Sequence, residues 1–148
     1  MIKKIDHIAI AVRNLRESRK RMEDLFGARF IVEKINSEGQ YKVAIFQVGE
    51  STFSMLEPTS PEGFVAEHIE RHGETAQHMG LEVDDLEKFI EHLHSKGVKT
   101  SGYIEIEGVR KEVLVGPKNP FGIILQVFEW LGEFKHASSE KRMTKVWG

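Results

Sequence analysis

Two histidines, His7 and His78, stand 71 residues apart in closely similar surroundings. The run Asp6-His-Ile-Ala-Ile-Ala-Val-Arg-Asn-Leu15 lies over Gln77-His-Met-Gly-Leu-Glu-Val-Asp-Asp-Leu86, with histidine, valine and leucine coincident. An imidazole can hold a metal, move a proton or simply hydrogen-bond. One such residue says little, but the same residue at one position of two copies points to a shared task. A second match follows at an offset of 72, where Ser54-Met-Leu-Glu-Pro58 lies over Gln126-Val-Phe-Glu-Trp130. Two matches in order predict duplication of a unit of about 60–70 residues.

The elements around these residues repeat too. The first copy reads as a strand over 3–12, an amphipathic helix over 15–26 ended by Gly27, and strands over 28–35, 41–48 and 51–57. On that helix Leu15, Ser18, Met22 and Leu25 recur at helical spacing. Ser60 as N-cap with Pro61 behind it predicts a connecting helix over 61–72, stopping at Gly73. The second copy reads as a strand over 76–83, a helix over 85–96 opened by the capping-box pair Asp84 and Glu87, and strands near 101–106, 111–116 and 122–130. Pro117-Lys-Asn-Pro120 is expected as a loop, and the polar tail 131–148 as a fraying end with Trp147 able to dock. The organisation is thus one domain over 1–130: module 1 about 3–58, a linker helix about 60–73, and module 2 about 76–130.

Two βαβββ modules, each too small and open to stand alone, predict an α+β fold. Their sheets pair into one cupped mixed β-sheet, an incomplete barrel with the helices outside. Strand parity then sorts the side chains. His7, Ala9 and Ala11 share one face and Ile8, Ile10 and Val12 the other. His78, Gly80 and Glu82 share one face and Met79, Leu81 and Val83 the other. The branched face belongs against the helix, so both histidines belong on the concave side, where small neighbours leave room for a ligand. Ser54 and Gln126 are equivalent under the repeat, and His7, Ser54, His78 and Gln126 are expected to converge there.

Composition narrows the chemistry. The chain has 148 residues and no cysteine, which excludes thiol nucleophiles, thiolate zinc sites and iron–sulfur clusters. Any metal must be held by His, carboxylate, amide or hydroxyl groups. A net charge of -2 gives no general pull toward nucleic acid. Mean hydropathy is -0.34, and no apolar run approaches the ~18 residues of a membrane span. The start, Met1 to Asp6, lacks the apolar stretch of a signal peptide. The expectation is a cytoplasmic protein with no membrane or nucleic-acid partner.

With these residues in view, the chain resembles the vicinal oxygen chelate superfamily, which includes glyoxalase I, ring-cleaving and hydroxyphenylpyruvate dioxygenases and methylmalonyl-CoA epimerase. The resemblance covers about residues 4–130. It rests on His7-Ile-Ala-Ile-Ala-Val12, Met55-Leu-Glu-Pro58, Gln77-His-Met-Gly-Leu-Glu-Val-Asp-Asp85 and Pro117-Lys with Gly122-Ile-Ile-Leu-Gln126. The pattern is most like that of the epimerases. It implies one divalent metal held by a histidine on the first strand, a Gln or Glu on the fourth, a second histidine, and a Glu on the eighth. By position the metal ligands are His7, His78 and Gln126, with Ser54 as a possible pocket residue. Both histidines are kept and the carboxylate is lost.

Cobalt, zinc or nickel would accept this set but be held weakly, because no ligand charge offsets the ion. A bound ion would correspondingly be the stronger Lewis acid. The implied function is an isomerase- or lyase-type enzyme, most like methylmalonyl-CoA epimerase, that stabilises the enolate of an acyl thioester by metal chelation. The small-molecule substrate is then a coenzyme A thioester. Alternatives are a glyoxalase-like lyase or ring-cleaving dioxygenase on the same scaffold, or a metal-free small-molecule binding protein. Epimerisation also needs a base and an acid. Glu38, Glu57 and Glu107 are loose candidates, with Glu57 on the face opposite Ser54, and no catalytic residue is named. Glu129 would replace the lost carboxylate only if a bulge shifted its register.

His68, His72, His92, His94 and His136 read as helix-surface or tail residues, although His68 and His72 have helical metal-pair spacing. Arg16, Arg19, Lys20 and Arg21 read as a solvated helix face that could instead hold coenzyme A phosphates. A homodimer through edge strands near 28–35 or 99–106 is expected by analogy.

Overall fold

The computed structural model describes residues 1–116, 118 and 122–147. The elements run β1 (Ile2–Ala11), α1 (Leu15–Phe26), β2 (Arg29–Asn36), β3 (Tyr41–Val48), β4 (Ser51–Pro58), α2 (Phe64–His72), β5 (Ala76–Val83), α3 (Leu86–Ser95), β6 (Ser101–Ile106), β7 (Arg110–Val115), β8 (Ile124–Trp130), a 3-10 turn at Gly132–His136, and α4 (Ser139–Trp147). Strand pairs are both parallel and antiparallel, so the sheet is mixed and the class is α+β, as the sequence predicts. Among the described residues, no helix is long and apolar enough to cross a membrane.

The chain forms two compact units, each discontinuous in sequence. One comprises Met1–Asp6 with His78–Ser138, the other His7–Gln77 with Ser139–Gly148. In the second of these the strand order is β2-β3-β4-β1. β1 runs parallel to β4, with His7 beside Thr52, Ala9 beside Ser54 and Ala11 beside Leu56. α1 starts where Asn14 accepts the amide hydrogen of Glu17, and stops at Gly27, whose φ of 62° is the left-handed conformation that glycine adopts without strain. Its inner face brings Leu15 and Met22 onto Phe46 and Met55. Leu25 does not join them and is exposed, as is Phe26. The core there is filled by Ala28 and Phe30 after the turn instead.

The other unit carries the order β5-β8-β7-β6, with the first part of β1 beside β5. Met79, Leu81 and Val83 of β5, with Val113, Val115, Leu125 and Val127, bury α3 residues Leu86, Phe89, Ile90 and Leu93. The branched face is therefore the helix-packed face, as alternation requires. α3 opens one residue later than predicted: Asp85 is its cap, accepting from the Lys88 amide at 3.0 Å. Asp84 holds the chain's own ammonium group on Met1 instead.

Two further sequence expectations are corrected, and a third falls largely outside the described residues. α2 begins at Phe64 with Gly63 as its N-cap, not at Pro61, because Ser60 closes a short turn by accepting from the Glu62 amide. The expected loop 117–120 lies outside the described residues except for Lys118. The tail does not fray: Phe134 is buried in the 3-10 turn, and α4 packs on β2 and β3 with Arg142 and Met143 buried. An ion pair of Arg29 with Glu140 at 3.1 Å ties α4 to β2. Register places Arg29 beside Gln47, Gln47 beside Thr52, and Thr52 beside His7. Directly paired residues share a face, so α4 lies on the face that carries His7 and Ser54, and α1 lies on the opposite one. The anchor is apolar: Met143→Ala should lower unfolding free energy by about 2–3 kcal/mol. Glu140→Ala, at an exposed pair, should cost at most about 1 kcal/mol. Urea denaturation of both variants checks this, and equal losses would mean that α4 is held by charge.

Candidate metal-binding residues

The parity expected of the four candidate residues is present in each unit. In the His7–Gln77 unit, His7, Ala9 and Ala11 share a face with Thr52 and Ser54. All five are buried, and both alanines are fully so. The small-residue face of this strand is thus buried. Ser54 lies beside Ala9, one strand over and two positions along from His7.

In the other unit, β5 places His78 beside Ile124 and Gly80 beside Gln126. His78 and Gln126 thus share a face, both half-buried. The antiparallel partner β7 adds residues the sequence reading missed. Leu114 pairs with Gln126, Glu112 with Phe128 and Arg110 with Trp130, all on that same face. The Gln126 side-chain amide donates from Nε2 to Glu112 Oε2 at 3.1 Å. Arg110 bonds the same carboxylate oxygen, and both side chains of this ion pair are largely buried. The Arg110 guanidinium also lies 5.4 Å from the Phe128 ring centre and 5.2 Å from that of Trp130, within cation–π range. Glu82, nearly fully buried beside Phe128, is ion-paired with Lys3 at 3.3 Å and approached by Lys4 at 3.9 Å. So the face of His78 is not without carboxylates. They stand on β5 and β7, each matched by a cation. The alternation Arg110, Glu112, Leu114 was the signal available, but reading it needs the register of β7 on β8.

The donors, two imidazoles and an amide oxygen, suit a borderline divalent ion. A carboxylate only accepts hydrogen bonds, so Gln126 must give it the NH2 end. Its Oε1 is thereby turned away from Glu112. Among the described residues, three acidic or imidazole side chains gather their ligand atoms within 4.8 Å at Asp85, Glu87 and Glu129. Each has a structural task. Asp85 caps α3, and Glu129 accepts from the Leu86 amide at 3.0 Å. Burial would raise the Glu87 pKa, but hydrogen bonds from Lys111 and Tyr103 outweigh it and keep the carboxyl below its ordinary range. β8 pairs with β7 without a bulge, so Glu129 keeps to the α3 side.

The proposed bases fare no better. Glu38 and Glu107 are exposed in turns, and Glu57 pairs with Lys42 on the α1 side at 3.3 Å. On that side a cleft of about 400 Å3 opens between Arg16 and Arg19 of α1 and Glu33, Lys42 and Glu57 of the sheet. Arg19 is engaged by Glu23 at 2.9 Å, Glu33 at 3.5 Å and the Phe30 ring. Its charge belongs to the fold.

The rings of His68 and His72 lie with centres 5.0 Å apart, tilted at 45° to each other, and His68 Nε2 lies 2.9 Å from Thr75 Oγ1. Burial, then the charge of His72, holds the His68 pKa below 6.5. A lowered folded pKa means that the unfolded chain binds the proton more readily. Stability from this residue is therefore present above pH 6.5 and lost as pH falls through the lowered value. His68→Asn should flatten that part of the pH–stability curve. An unchanged slope in urea titrations between pH 5 and 7 would contradict it.

Residues 6–112 match the family model described as Glyoxalase/Bleomycin resistance protein/Dioxygenase superfamily. Over 132 residues the chain is 24% identical to the uncharacterised protein YqjC of Bacillus subtilis, covering 88% of this chain and 94% of that one. Methylmalonyl-CoA epimerase from Mycobacterium tuberculosis is similar in structure, with 21% identity, a TM-score of 0.78, and 92% of this chain and 93% of that one covered. A variant of the Streptomyces coelicolor epimerase, in complex with 2-nitronate-propionyl-CoA, gives 19% identity and a TM-score of 0.79, covering 89% of this chain and 100% of that one. At these identities the likeness is one of fold.

Proposed function

Because the chain belongs to the Glyoxalase/Bleomycin resistance protein/Dioxygenase superfamily, we propose that it is a metal-dependent enzyme acting on an acyl thioester, most like methylmalonyl-CoA epimerase. The observation that carries this reading is the repeated histidine, His7 and His78. Each stands on the small-residue face of its strand, and Gln126 shares a face with His78 and turns its oxygen away from Glu112. His7, His78 and Gln126 would hold the ion, with Ser54 as a pocket hydroxyl able to hydrogen-bond substrate. A bound cobalt, zinc or nickel ion would polarise the thioester carbonyl and stabilise the enolate left when the α-proton departs.

The chain's own residues set the conditions for that chemistry. The imidazoles offer neutral nitrogen and Gln126 neutral oxygen, so an anionic substrate has to bring the compensating charge. The buried face of His7, Ala9 and Ser54 keeps water away, which strengthens every charge interaction on it. The substrate class is supported by the likeness to epimerase structures, one of which holds methylmalonyl-CoA. The proposal includes a homodimer. β2 and β6, the outermost strands of their units, expose Ile35, and Tyr103 with Ile104, respectively. Light scattering that returns a monomer would remove that part.

Stripped protein titrated with cobalt(II) should develop saturable visible absorption at one ion per chain. The His7→Ala, His78→Ala double variant should lose it. The cobalt-loaded protein in heavy water should then place deuterium at the α-carbon of methylmalonyl-CoA. No cobalt binding, or binding unchanged in the double variant, would leave a metal-free binding protein as the reading. Oxygen uptake on an aromatic diol with iron(II) would move the assignment to a ring-cleaving dioxygenase.

A further inference from the structure

We propose that Glu112 and Arg110 are positioning residues that lock the side-chain amide of Gln126 in one sense, so that Gln126 can act only as an acceptor. This rests on the reading of Gln126 as a ligand. A glutamine amide is ambiguous by itself, since a half-turn exchanges its donor and acceptor ends. Here the ambiguity is removed in three steps. The rings of Phe128 and Trp130 flank the Arg110 guanidinium. Arg110 bonds Glu112 Oε2. The same Oε2 receives Gln126 Nε2 at 3.1 Å. β7 and β8 hold all five side chains on one face through consecutive antiparallel pairs.

The arrangement also explains why an amide suits this position. A glutamate at 126 would set a second negative charge at hydrogen-bond distance from Glu112, and like charges so placed disfavour each other strongly. The carboxylate missing from β8 is thus bound up with the carboxylate present on β7. The ligand this position accepts is a divalent cation or a hydrogen-bond donor, never another acceptor.

Two readouts test this. In 15N-labelled, metal-free protein, the Gln126 side-chain NH2 pair, identified by its loss in Gln126→Glu, should be displaced from the ordinary glutamine position and exchange slowly. Glu112→Gln should return it toward that position. Should loss of one partner of the ion pair unfold the protein, the paired replacement Arg110→Met with Glu112→Leu removes both charges together, and should also release the amide. In cobalt(II) titrations, Glu112→Gln should weaken binding about tenfold, as loss of an orienting partner does. Gln126→Glu alone should gain little. Gln126→Glu combined with Glu112→Gln should bind at least about tenfold tighter than Gln126→Glu alone, since the repulsion is then gone.

An amide pair unmoved by both replacements, or Gln126→Glu binding as tightly as the combined variant, would overturn the proposal. A wild-type chain that binds no cobalt would sink the metalloenzyme reading instead. The amide resonances would still decide whether Glu112 orients Gln126.

Discussion

The strict alternation of side chains along paired strands is the constraint on which everything else depends. A one-residue slip of any strand would exchange its two faces. On β5 that slip would carry His78 into the apolar cluster around Leu86 and Val127, and Met79 out of it. The burial of Met79, Leu81 and Val83 against α3 therefore fixes His78 on the other face. In the same way Ile10 and Val12, packed with Leu15 and Met55, fix His7. The candidate ligands need no interaction of their own to be placed, because the cores behind them do that.

Charge is arranged differently from position. The acidic groups on the His78 face are buried and matched, Glu82 by lysines from β1 and Glu112 by Arg110. Buried ion pairs contribute little net stability once desolvation is counted. Their benefit here is orientation and local neutrality. A face neutral at rest suits a ligand set in which the cation's charge remains largely available to a bound anion.

Much of this was legible in the sequence. The repeat at offset 71 located both histidines, and alternation assigned the faces of β1 and β5 without knowledge of their partners. Caps were legible where one residue decided them, as Gly27 does. The remainder depended on contacts distant in sequence. Asp84 and Asp85 are adjacent candidates for one cap; Asp85 takes it, and Asp84 pairs with the distant Met1. Leu25 fits a helical stripe that Ala28 and Phe30 already satisfy. Glu112 reads as one more charge on a short strand until β8 brings Gln126 beside it. The tail looked too polar to pack because only a few of its residues, Phe134, Arg142 and Met143 among them, are buried.

The attachment of α4 has a consequence for how the chain is made. The unit built on His7–Gln77 also needs residues 139–147, since α4 packs on β2 and β3. During synthesis β2 and β3 emerge long before the helix that covers them. This N-terminal unit therefore cannot finish folding in the usual order, first made and first completed. The face bearing Val43 and Ile45 has to wait, apolar and partly uncovered, until residues 139–147 have left the ribosome. A nascent chain stalled before Ser139 would present that face to chaperones, and release of residues 139–147 would withdraw it.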